Sequence, residues 1–188
     1  MSLFEFLMVL VSIIVGLGVA EVLTGVARLS RSRGSSTRYW IHSCIVALVF
    51  FALIQQWWEL WTLRDVPEWT FLSLILMLTG PMGLFLIAHL IFPESLKGAD
   101  LKDHYYDSIR PIGWLAALTV FFTALFRPLA FGFQLLELSN ATSLIFLAGF
   151  IALSTSRNST LHAVLVPLFL VLLLWDIVQW NPTIGFAG

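Results

Sequence analysis

The chain has 188 residues and a net charge of −1; 59% of it is hydrophobic and only 11% charged, and its mean hydropathy is +0.93. Soluble domains carry about 25% charged residues, so the composition excludes an ordinary soluble enzyme and predicts an integral membrane protein. Ten basic against eleven acidic residues leave no basic field for nucleic acid. The lone cysteine, Cys44, excludes an intrachain disulfide and a cysteine metal cluster.

At about 20 apolar residues per crossing, the sequence predicts six spans, at 3–28, 38–62, 69–92, 111–132, 139–156 and 160–181, in one all-α domain covering 1–188. The fold class is a polytopic membrane protein, a six-helix transmembrane bundle. The fifth span is short and ends in Ser154-Thr155-Ser156, which makes five spans the competing topology. The first span lacks a basic leader and a small-residue cleavage site, and reads as a retained helix. The segment 93–110 is expected to be a loop holding a surface helical turn begun by Asp100 as N-cap.

Charge asymmetry orients the bundle. With the N-terminus outside, the inner side holds Arg28, Arg31, Arg33, Arg38, Lys97, Lys102, Arg110 and Arg157, and only Arg64 and Arg127 are outer. Both termini are then outside the cytoplasm.

The first span carries Ser12, Gly16, Ala20 and Thr24, a small residue at every fourth position, suited to close approach by another helix of the chain or of a second copy. Glu21 lies beside this stripe. A carboxylate at that depth is costly unless paired or protonated, so it is expected either to pair with Arg28 or to bind a proton or cation.

The second span ends in Gln55, Gln56, Trp57, Trp58, Glu59 and Trp61. Tryptophans suit an interfacial belt, but the two glutamines lie deeper and need partners inside the protein. The third span is interrupted by Gly80-Pro81, expected to kink it and free backbone carbonyls. Arg127 near the end of the fourth span and Asp176 near the end of the sixth come to similar depth and are expected to pair. With Glu59, Gln55 and Gln56 they form an outer polar cluster walled by Trp57, Trp58, Trp61 and Trp175. His42, His89 and His162 fall near the inner ends of their helices, where two imidazoles at equal depth could in principle hold a haem. No metal-binding spacing occurs within a helix, and neither a cofactor nor a metal is otherwise implied.

The pattern Phe4-Glu5-Phe6 followed by Ser12-Ile13-Ile14-Val15-Gly16-Leu17-Gly18, the Trp57-Trp58 pair, and Arg64-Asp65-Val66-Pro67-Glu68-Trp69 resemble small multi-helix bacterial inner-membrane proteins of unknown function. The resemblance covers the first half and implies an inner-membrane location without an activity. Three functions fit the sequence. The first is a transporter or channel for a small solute or ion, using Glu21, Glu59, Arg127 and Asp176. The second is a non-catalytic assembly or sensor component that binds lipid or a partner helix, with homo-oligomer contact through the small stripe. The third is a haem-binding redox protein. No nucleophile and base constellation points to an enzyme.

Overall fold

The computed structural model describes residues 3–31, 39–64, 66, 68–95, 98–131 and 141–179, without the side chains of 125–131 and 141. Among the described residues six α-helices follow one another: α1 Leu3–Arg31, α2 Trp40–Glu59, α3 Phe71–Leu90, α4 Leu101–Phe131, α5 Ala141–Thr155 and α6 Ser159–Gln179. One 3-10 turn, Leu60–Leu63, continues α2. Among the described residues four segments are long and apolar enough to cross a membrane, Phe4–Arg31, Trp40–Leu63, Phe71–Leu90 and Ser159–Gln179, and this marks a membrane protein. The apolar stretch in α5 is shorter.

The helix ends follow their local chemistry. Glu5 in the first turn of α1 and Arg28 and Arg31 in its last complement the helix dipole. At the start of α3, Thr70 Oγ1 accepts from the Ser73 amide at 3.1 Å while Ser73 Oγ accepts from the Thr70 amide at 2.9 Å, a reciprocal capping box. Asn158 Oδ1 accepts from the Thr160 amide at 3.0 Å at the start of α6.

The expected surface turn at Asp100 is instead the beginning of α4. Asp100 Oδ1 accepts from the Lys102 amide at 2.8 Å, and the helix runs on without a break into the expected fourth span. The reason is the spacing of Leu101, Tyr105, Ile109, Ile112 and Ala116, which repeats every three or four residues and places all five in the core.

α2 lies at the centre, packed on α1, α3, α4 and α6; α3 also packs on α1 and α4, and α4 on α5. α5 and α6, consecutive in sequence, share only a short seam. The inward stripe of α1 is Phe4, Leu7, Val11, Val15, Gly18, Val22 and Gly25. The stripe Ser12, Gly16, Ala20, Thr24 is exposed beside it, and a methyl group added at Gly16 would meet nothing within 4 Å. Packing within the chain is therefore not what these small residues serve, apart from Ser12, whose hydroxyl accepts from Trp57 Nε1 at 3.0 Å.

α3 holds Gly80 and Pro81 within its length. It is one helix from Phe71 to Leu90, passing through Pro81 without interruption. Gly80 and Gly83 serve close packing: a Cβ at Gly80 would lie 2.9 Å from the Gln56 and Thr123 side chains, and one at Gly83 would overlap Thr119. Thr79 Oγ1 donates to the Leu76 carbonyl at 2.6 Å just before the proline.

The helices alternate in direction. One end of the bundle gathers the C-termini of α1, α3 and α5 and the N-termini of α2, α4 and α6, joined through Tyr39, Ile91, Tyr105, Ser156 and His162. Arg28, Arg31, Lys102 and Arg157 belong to these termini, Arg110 lies in the third turn of α4, and Arg64 belongs to the opposite end, beside the edge-on pair Phe4 and Trp61.

Candidate functional site

Gln55 and Glu59 stand one helical turn apart on α2, and Gln55 Nε2 donates to Glu59 Oε1 at 2.8 Å. A carboxylate cannot donate, so the amide is oriented with its nitrogen towards Glu59. Its carbonyl oxygen is left without a protein partner among the described residues, although Gln55 is buried.

This pair borders a cavity of about 180 Å³ between α2, α3, α4, α5 and α6. Its polar lining is Gln55, Gln56 and Glu59 from α2, Thr119 and Thr123 from α4 and Asp176 from α6. The remaining wall is apolar, including Ile45, Leu48, Val49, Ala52, Leu84, Ile112, Ala116, Phe146, Phe150 and Leu173. Both threonine hydroxyls are spent on backbone carbonyls one turn back, Thr119 on Leu115 at 2.8 Å and Thr123 on Thr119 at 2.9 Å. Each can therefore only accept from a further group. Asp176 has no hydrogen-bond or ion-pair partner among the described residues.

Four of the residues expected in one polar cluster, Gln55, Gln56, Glu59 and Asp176, thus line one space. The expected Arg127 pairing lies outside the described residues, because the Arg127 side chain is not among them. The tryptophan wall is a correction: none of Trp57, Trp58, Trp61 or Trp175 lines the cavity. At about 100° per residue, Trp57 and Trp61 fall on the helix face opposite Gln55 and Glu59. Trp57 accordingly bonds to Ser12 and Trp61 packs on Phe4, both on α1. Trp175 is 64% exposed. The aromatic wall comes instead from Phe146 and Phe150 of α5, whose rings stack at 6.0 Å. The spacing of Thr119 and Thr123, one turn apart in an apolar helix, was a sequence signal for the α4 side.

Glu21 is outside this cavity. Its Oε1 lies 3.0 Å from Nδ1 of His89 on α3, so its partner is His89 and the expected Arg28 pairing is replaced. Arg28 Nε is buried without a hydrogen-bond partner. His89 itself is 68% exposed.

The other histidines join a second cluster at the opposite end of the cavity, one turn beyond Ile45. His42 Nε2 donates to the Ile91 carbonyl at 2.8 Å, and His104 Nε2 reaches the same oxygen at 3.2 Å. His162 Nε2 donates to the Ser156 carbonyl at 2.8 Å, which leaves Nδ1 to accept from the Tyr105 hydroxyl at 2.9 Å. Tyr39 and Tyr106 share a hydroxyl contact at 3.2 Å. The three tyrosines of the chain and three of its four histidines meet here. Burial, then the Tyr106 hydroxyl, pushes the Tyr39 phenol well above its ordinary range; burial does the same for Tyr105. Haem ligation by His162 would have to break both of its hydrogen bonds, and His89 faces Glu21 elsewhere.

Comparison with protein-family models, curated proteins and solved structures gives no match.

Proposed function

We propose that the protein is a six-span inner-membrane bundle that binds a small solute in the cavity and carries it across the bilayer. The supporting observation is Asp176, a carboxylate on a membrane-length helix, bordering a cavity with no partner among the described residues. Such a group in a spanning helix costs about 2.5–3.5 kcal/mol at the bilayer centre, and faces a bundle interior where it is used. The cavity is smaller than the about 300–1,000 Å³ that receive drug-sized ligands, which suits a small solute. The basic end of the bundle is the cytoplasmic one by charge asymmetry, so the polar end of the cavity faces outward and the histidine and tyrosine cluster closes the inner end.

The test is flux through the full-length protein in liposomes, using a panel of small cations, anions and neutral solutes across pH and voltage. Transport through the cavity requires flux above empty vesicles and its loss in Ala52→Phe, which fills the space from α2. No flux above empty vesicles for any solute rejects it.

A second reading is supported by the exposed stripe on α1. In a lipid environment, Ser12, Gly16, Ala20 and Thr24 form a face that another copy can approach closely. Gly16→Leu then converts an oligomer to a monomer in native mass analysis. An unchanged mass rejects this contact.

A further inference from the structure

We infer that the cavity takes a small organic ammonium ion with an apolar body; this rests on the solute-binding reading above and names its ligand class. Apart from Gln56, whose amide can donate as well as accept, the polar groups on the cavity wall present acceptors. Asp176 offers a carboxylate without a partner among the described residues. Gln55 has spent its amide nitrogen on Glu59 and offers its carbonyl oxygen. Thr119 and Thr123 have spent their protons on backbone carbonyls and offer lone pairs. The ligand that satisfies such a set supplies several N–H donors and a positive charge, which is what an ammonium group does. No lysine, arginine or histidine among the described residues borders the space to compete for the carboxylate.

The other walls decide between a bare metal cation and an organic one. Ile45, Leu48, Leu84 and Ile112 offer no oxygen, whereas hard cations need about six oxygen ligands. Phe146 and Phe150 add aromatic rings, which attract a cation at their faces and pack an apolar body at no desolvation cost. A charged head at Asp176 leaves the apolar remainder against the apolar wall on the side towards Ile45. Its volume of about 180 Å³ limits the ligand to a compact molecule.

The experiment is calorimetric titration of the full-length protein in lipid nanodiscs, with empty nanodiscs as blank, using benzylammonium, benzyl alcohol and benzoate as a matched series. Saturable binding of benzylammonium, with the alcohol and the carboxylate at least tenfold weaker, is expected. Asp176→Asn removes this preference, and Ala52→Phe removes the binding. Equal affinity for benzyl alcohol overturns the inference, because Asp176 then carries a proton and not a counterion. Preference for benzoate overturns it in favour of an anion site. Absence of saturable benzylammonium binding also overturns it. The wild-type series decides the ligand class even where Asp176→Asn does not fold. Ammonium binding without flux removes the transport reading and leaves this one, while benzoate flux without ammonium binding does the reverse.

Discussion

The hydroxyl of Tyr105 donates to Nδ1 of His162 across 2.9 Å, where the tyrosine is 3% and the histidine 0% exposed. Because the other nitrogen of the same ring holds the Ser156 carbonyl, one imidazole fastens α4, α5 and α6 together. Tyr105→Phe leaves a buried acceptor without its donor, at a cost of about 1–3 kcal/mol. A lowered denaturation midpoint in detergent checks this, and an unchanged midpoint shows that the bond contributes nothing.

Tyr39 and Tyr105 should resist ionisation. Both phenols are held above their ordinary range by burial, so the folded state keeps its protons where the unfolded state, with pKa about 10, loses them. Their contribution to stability is complete below about pH 10 and is lost as pH rises past that value. Phenolate absorbance in an alkaline titration should therefore develop for those two residues only together with unfolding, followed in parallel by circular dichroism. Early, reversible ionisation of all three tyrosines would contradict the packing of the cluster.

Two glycines in equivalent-looking helical positions should behave oppositely. Gly83 is pressed against Thr119, whereas nothing lies within 4 Å of a methyl group at Gly16. Gly83→Ala drives α3 from α4 and costs about 1–3 kcal/mol; Gly16→Ala gains up to about 1 kcal/mol of helix propensity. Thermal melts of the two variants beside the parent measure the difference in sign.

Thr70→Ala removes one half of the capping box at the head of α3. The expected loss is about 1 kcal/mol, visible as faster amide exchange in the first turn of α3, with the far end of that helix unaffected. Protection of the first turn equal to the parent's would mean that packing alone holds it.

Composition made the helical, membrane-embedded class legible, and the depths of Gln55, Gln56, Glu59 and Asp176 brought them to one level. Facing was harder to read. The run from Gln55 to Trp61 looks like a single feature in sequence, yet successive residues are turned by about 100°, so its amides and carboxylate face the cavity while Trp57 and Trp61 face α1. In α1 every fourth residue is small at Ser12, Gly16, Ala20 and Thr24, but the face that packs follows the slightly shorter period of Leu7, Val11, Val15, Gly18 and Val22. The polar letters of His104 and Tyr106 suggested a loop. They belong to a helix because Leu101, Tyr105 and Ile109 all had somewhere to bury, a fact that depends on the packing of α4 against its neighbours, chiefly α3 and α5, and is invisible in the local sequence. Glu21 met His89, 68 positions away, and not the nearby Arg28, since pairing across helices is fixed only when they are assembled.

The short seam between α5 and α6 is centred on one aromatic ring. The ring of Phe169 sits against Gly149, with Phe146 at 4.9 Å and Phe150 at 5.1 Å between centroids, while the rest of α5 leans on α4 and the rest of α6 on α2. That makes Phe169 a fulcrum. The arm from it to Asp176 spans seven residues, about 10 Å of helix, so a tilt of α6 of roughly 6° about the ring shifts the carboxylate by about 1 Å, on the order of the margin that separates a formed hydrogen bond from a broken one. Leverage of this kind ties the position of the Asp176 carboxylate to the bulk of the one aromatic side chain at the pivot.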